Sequence, residues 1–273
     1  MPYRHAWIWC LAIIALTAAA FWPGSFSKLS EAKTTSHDHA ATATLWILLV
    51  AAQSWSIDRG RRALHRSLGL AIFVMVPLFF IGGVGVEHSM AVATGSGKDL
   101  FYNVWGRSLG IYDLIASLGF LGLAAMALKD RRLVARHAGW LLATPLLLIG
   151  PILSRLYPRY IPGFAIGGPQ DFDHFRWGIH LGGLTAIAIA WRLWSRHRRD
   201  GAPWLIVVAI NLAQLILFET LGFVPAWKAA FVTFGDIPIA VHGLGAALLA
   251  AAALWWGWRS VPARGKGIAE TAA

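Results

Sequence analysis

Asp113, His180, Glu219 and His242 are ionisable residues that lie inside apolar segments, each about one to two helical turns from the same end of its segment. His39, Arg107 and Arg155 sit at the mouth of that layer. A charge in the centre of a bilayer costs roughly 2.5–3.5 kcal/mol on insertion scales, so such residues mark a functional site by default. Imidazole together with carboxylate suits zinc or another transition metal, and imidazole pairs suit haem. In the metal reading, His180, His242, Glu219 and Asp113 surround one ion that activates water. In the haem reading, His180 is one axial ligand, His39 or His242 the other, and Glu219 and Asp113 orient the imidazole N–H groups. The glycines Gly182 and Gly183 beside His180 would let a bulky planar group approach the backbone.

Spacing along the chain narrows these options only a little. Arg176 and His180 share a helix face at i, i+4, which points to a carboxylate or an anionic group near them. Arg107, Arg155 and Arg176 are the candidate cations for an anionic substrate. His174 and His180, six apart, lie on different faces. His37 and His39 are two apart, too weak a signal to name a ligand site. No pair has the spacing of a dedicated metal motif, so any site must be assembled between helices. The structural alternative is a buried Glu–His and Asp–Arg network that fixes helix packing.

A smaller polar set occupies the other end. His65 and Arg66 follow one basic turn, His137 follows another, and Gln53 lies near the end of its segment. Interfacial anchoring explains such residues as well as ligation does.

The elements that must position these groups are membrane helices. The chain has 273 residues, of which 57% are hydrophobic and only 14% charged. Its mean hydropathy is +0.58. Soluble domains carry about 25% charged residues, so a soluble binding module is excluded. Apolar segments fall at about 7–22, 39–56, 67–86, 108–128, 138–156, 175–195, 203–222 and 237–258. They are too long and too uniform for the strands of an outer-membrane barrel. The expected fold class is therefore all-α, a polytopic transmembrane bundle of about eight helices. It divides into a first helix over 1–22 (a signal anchor or a cleaved leader), a bundle over 23–258 and a polar tail over 259–273. No internal repeat is evident. The single Cys10 excludes a disulfide framework or a cysteine metal site.

Charge sets the expected orientation. The net charge of +11 is spread in short clusters between apolar segments, a topology signal rather than a nucleic-acid surface. Of the 24 Lys and Arg, 16 fall with the basic loops and termini and 8 with the longer loops. The positive-inside rule then puts both termini in the cytoplasm and the loops at about 23–38, 87–107, 157–174 and 223–236 outside. Fifteen Trp, among them Trp255, Trp256 and Trp258, fit interfacial belts against membrane lipids.

The stretch Phe21-Trp22-Pro23-Gly24-Ser25-Phe26, then His37-Asp38-His39, Thr44-Leu45-Trp46, Gln53 and Gly60-Arg61-Arg62-Ala63-Leu64-His65-Arg66-Ser67-Leu68-Gly69 resembles a bacterial family of multi-pass membrane proteins known only as a domain of unknown function. Arg136-His137 through Arg155 is compatible with it. The resemblance covers about residues 21–70 and implies a polytopic fold in the bacterial inner membrane, with no activity attached. The layout of His39 and His180 at one end, with His65 and His137 at the other, is similar to that of cytochrome b561-type proteins. That likeness implies two stacked haems; the helix number and the interfacial positions of His39, His65 and His137 depart from it.

Three functions are open at this point. One is electron transfer linked to haem or a quinone near the outer face. The second is a metal-dependent membrane hydrolase or lipid-modifying enzyme acting on a small-molecule substrate. The third is a transporter or an ion- or proton-linked sensor.

Overall fold

The structure, a computed structural model, describes residues 3–22 and 34–261, with side chains from His39 onward in the second stretch. The His37 side chain and most of the polar tail lie outside what is described, as does the segment over 23–33. The described residues form helices and turns, with no strand. The helices are α1 (Ala6–Phe21), α2 (Thr34–Asp58), α3 (Arg62–Gly69), α4 (Ile72–Ser96), α5 (Leu100–Lys129), α6 (Val134–Ala143), α7 (Ile149–Tyr160), α8 (Phe172–Arg196), α9 (Ala202–Glu219), α10 (Pro225–Asp236) and α11 (Ile239–Arg259). A 3-10 turn, Thr144–Leu148, joins α6 to α7 into one run. Six runs among the described residues are long and apolar enough to cross a membrane: His39–Asp58, α4, α5, α6 through α7, α9 extended to Phe223, and α11. Each of the eight apolar segments read from the sequence falls on a helical run.

Two expectations are corrected. The loop expected at about 87–107 is almost entirely helix, because α4 runs to Ser96 and α5 starts at Leu100. Gly97, at φ 67°, ends α4 in the left-handed conformation that glycine tolerates. Asp99 then caps α5, its Oδ1 accepting from the Phe101 and Tyr102 N–H groups at 2.9 and 3.2 Å. Thirty residues make α5 about 45 Å long, more than the hydrocarbon core alone. The second correction is at 223–236, where most of the expected loop is α10. Phe231 of α10 packs into the space left by Gly110, and the Trp227 Nε1–H donates to the Arg107 carbonyl at 2.8 Å.

Side chains too small to hold helices apart decide the close contacts, as they must where lipid competes equally for apolar surface. A Cβ on Gly178 would meet the Ser154 carbonyl at 2.9 Å, and one on Gly182 the Gly150 carbonyl at 2.7 Å, so α7 and α8 touch backbone to backbone. Gly257 gives α11 the same approach to Ala125 of α5. One large core threads α1, α2, α4, α5, α6, α7, α8, α9 and α11, with Trp46, Val76, Leu123 and Trp204 almost wholly buried. The Trp46 Nε1–H donates to Thr144 Oγ1 at 2.9 Å and so ties α2 to the 3-10 turn.

The helices alternate between a basic end and an opposite end. At the basic end the His5 backbone N–H donates to Asp58 Oδ2 at 2.8 Å, and the Tyr3 ring packs tilted against His197 and edge-on to Trp204. Asp130, 2% exposed, is held there by Arg136 Nη2 at 2.9 Å and by the Trp140 indole N–H at 2.8 Å. The amphipathic α3 lies at this end and buries none of its residues.

Candidate functional site

The opposite half of the bundle holds a cavity of about 510 Å³ between α1, α2, α4, α5, α7 and α8. Its walls are largely apolar, with Ile47, Phe79, Phe120, Leu147 and Ile179 among them. Its polar groups include His39 and Thr44 of α2, Tyr102, Tyr112, Asp113 and Ser117 of α5, Arg155 of α7, Thr17 of α1 and Thr144 of the 3-10 turn. Asp113 and Ser117 are i, i+4 on α5, which puts both on the cavity face.

His39 fits because α4 offers no side chain opposite it. A Cβ on Gly82 would stand 3.1 Å from the His39 Cα. One on Gly83 would meet Ser117 Oγ at 3.3 Å and His39 Cε1 at 3.8 Å. The imidazole rests against Phe79, with ring centroids 5.2 Å apart. Its Nδ1 is buried and has no hydrogen-bond partner among the described residues. The Tyr112 hydroxyl is in the same condition.

Arg155 is held by its own helix. Its Nη1 donates to the Pro151 carbonyl at 2.8 Å, and the guanidinium lies 4.5 Å from the Phe21 ring centre. Among the described residues no carboxylate is within ion-pair distance of it. The guanidinium and Asp113 both line the cavity.

Glu87 stands just behind the cavity wall and was not among the residues singled out from the sequence. It is 6% exposed, and the Ser117 hydroxyl donates to its Oε1 at 3.1 Å. The signal that would have found it is the apolar run continuing through Met90-Ala91-Val92-Ala93, which makes 87 a helix-interior position. Tyr102, Tyr112 and Ser117 were missed because uncharged polar residues in a membrane helix carry no depth cost large enough to stand out.

The remaining sequence-selected residues form separate groups. Arg176 and His180 of α8 both bind Glu219 of α9. Arg176 Nε and Nη2 donate to the two carboxylate oxygens at 2.8 Å each, and His180 Nε2 donates to Oε1 at 2.5 Å. This triad does not line the cavity. His242 donates to the Phe234 carbonyl at 2.8 Å and His88 to the Ile237 carbonyl at 3.0 Å, so the two pin the turn between α10 and α11. Arg107 lies 5.1 Å from the Phe223 ring centre. At the basic end, the rings of His65 and His137 are 6.3 Å apart and perpendicular, and His137 Nδ1 donates to the Ala127 carbonyl at 2.8 Å. Partial burial lowers the His65 pKa from its ordinary value. Gln53 is buried close by, its Nε2 beside Gly69.

The expectation of one site holding His39, Asp113, Arg155, His180, Glu219 and His242 is therefore corrected: the first three share the cavity and the others do not. His180, Glu219, Asp113 and His242 do not gather around a point, and no group of three or more His, Cys, Asp or Glu among the described residues could hold a metal ion. His39 and His180 do not face each other, since His180 meets Trp177 and Phe218 while its Nε2 is engaged by Glu219. Nor is there room for a planar group at Gly182 and Gly183. The Gly150 backbone and Leu215 occupy that space, 2.7 and 2.8 Å from where the β-carbons would be.

No family model, no curated protein and no solved structure matches this chain.

Proposed function

We propose that the chain is an eight-helix protein of the bacterial inner membrane that binds a quinone-type molecule in the cavity and takes part in electron transfer. In this reading α1 and α8 cross the membrane with the six longer apolar runs. The basic loops and both termini face the cytoplasm, in keeping with the twofold excess of Lys and Arg at that end, and the cavity opens from the outer half.

The observation that carries the reading is the cavity itself, about 510 Å³ with apolar walls and His39, Asp113 and Arg155 facing its interior. Sites for small molecules have roughly this volume and this mix of apolar lining and few convergent polar groups. A quinone head group offers two carbonyl oxygens. Arg155 can donate to one through the N–H groups that Pro151 leaves free, and the His39 imidazole can donate to the other. Asp113 and His39 are groups able to exchange the protons that accompany quinone reduction and oxidation. The aromatic and aliphatic walls suit the ring and the start of an isoprenoid tail.

A second reading follows from one further observation. Because Arg155 has no ion-pair partner among the described residues, it also suits the carboxylate or phosphate of an anionic amphiphile. That would favour a transporter or sensor of such molecules.

Purification in lipid nanodiscs followed by solvent extraction and quantification of bound quinones and anionic amphiphiles tests both. The expected result is near-stoichiometric quinone on the wild type and at least about a tenfold loss in the Arg155→Ala and His39→Ala proteins. Loss of a fatty acid or lysolipid in place of a quinone supports the second reading. No co-purifying molecule that depends on these two residues overturns both.

A further inference from the structure

We infer that Glu87 is the proton acceptor for a ligand in the cavity, reached through the Ser117 hydroxyl. The inference deepens the quinone reading above and rests on it. Among the described residues, Ser117 is the one whose side chain both lines the cavity and hydrogen-bonds a carboxyl group, that of Glu87 at 3.1 Å. The hydroxyl donates to Glu87 Oε1, which leaves the Ser117 oxygen lone pairs free on the cavity side. A hydroxyl on the ligand can therefore pass its proton to Ser117 Oγ while Ser117 passes its own proton to Glu87. The ligand O–H bond breaks, a Glu87 O–H bond forms, and Ser117 is returned unchanged. No electrons move in this step, and the ligand oxygen is left as an anion in the field of Arg155.

Packing alone does not account for a carboxyl at position 87. Glutamine would accept the same hydrogen bond from Ser117 without the cost of an ionisable group in a membrane helix. Asp113 is the competing acceptor, one that a ligand in the cavity would meet directly and not through a hydroxyl. Glu87 has no cation within ion-pair distance among the described residues. The titratable groups around it are Asp113 from α5, His39 from α2, His88 on its own helix and His242 from α11; Lys228 and Asp236 of α10 are exposed. His88 and His242 give their Nε2 hydrogens to backbone carbonyls, so neither is a donor to Glu87 through that nitrogen.

The probe for the test is 2-hydroxy-1,4-naphthoquinone carrying a 3-alkyl tail, whose anion is strongly coloured and absorbs at longer wavelength than the neutral form. Bound probe is titrated in nanodiscs against pH for the wild type, Glu87→Gln and Ser117→Ala. In the wild type the Glu87 carboxylate opposes the probe anion, so the coloured form should need a higher pH than in Glu87→Gln, by about one pH unit or more. Ser117→Ala should slow the colour change after a pH jump by at least about tenfold. Equal titration of wild type and Glu87→Gln, with both holding the probe, overturns the assignment and leaves Ser117–Glu87 as a structural hydrogen bond. Failure of the wild type to hold the probe overturns the quinone reading instead, and this inference with it.

Discussion

His180 Nε2 lies 2.5 Å from Glu219 Oε1, and the same carboxylate takes two hydrogen bonds from Arg176. The triad ties α8 to α9 but stands apart from the cavity. Glu219→Ala should therefore lower stability without emptying the site. Hydrogen bonds to charged groups are worth roughly 1.5–3 kcal/mol, and the partial exposure of all three side chains reduces this to about 1–2 kcal/mol. Thermal unfolding in nanodiscs reads the loss, and ligand extraction on the same sample should show unchanged retention. Loss of ligand in this variant would mean that the triad belongs to the site.

Filling the cavity should have the reverse effect. Ala43 lines it, and Ala43→Phe adds a ring to open space rather than to a packed core. Retention of the bound molecule should fall at least about tenfold while the unfolding temperature is kept or raised. Full retention would place the ligand elsewhere.

Two glycines on different helices offer a matched comparison. Gly182→Ala drives a methyl against the Gly150 carbonyl, 2.7 Å from the ideal Cβ, and backbone on both sides leaves it nowhere to move. A loss of about 1–3 kcal/mol is expected. Gly122→Ala meets nothing within 4 Å and should be neutral or stabilising by up to about 1 kcal/mol through helix propensity. Chemical or thermal unfolding of the two variants side by side decides it; equal effects would contradict the α7–α8 contact.

At the basic end, Arg136→Ala should be costly for a different reason. It leaves Asp130, 2% exposed, with the Trp140 indole as its remaining named donor. Removing one partner of a buried pair costs about 3–5 kcal/mol, and the partial exposure of Arg136 puts the expectation near the lower figure. Arg136→Lys should recover part of it, because the charge returns without the guanidinium geometry. An unfolding temperature equal to wild type in Arg136→Ala would refute the pairing.

Orientation is open to a direct test. Reporter fusions at Gly201 and Gly235 should read cytoplasmic and external respectively, since Gly201 follows the Arg196–Arg199 cluster and Gly235 lies in α10 at the other end. The reverse pattern would move the cavity to the cytoplasmic half.

The sequence by itself determined the all-helical class, because long apolar runs in lipid can satisfy their backbone only as helices. It also determined that His39, Asp113 and Arg155 belong near one end, since depth follows from counting residues along a helix. The shared face of Arg176 and His180 was legible from their i, i+4 spacing, and both do bind one carboxylate. Which way each helix turns was not legible. Rotation about the helix axis is set by contacts such as Gly178 and Gly182 of α8 against Ser154 and Gly150 of α7, and by Gly83 making way for His39. Residues at one depth were thereby sent to different places: His39, Asp113 and Arg155 into the cavity, His180 and Glu219 to each other, His242 to the α10–α11 turn. Glu87 was hidden because α4 runs on past the point where its hydropathy suggested a loop, and only the packing of α4 on α5 put its carboxyl beside Ser117.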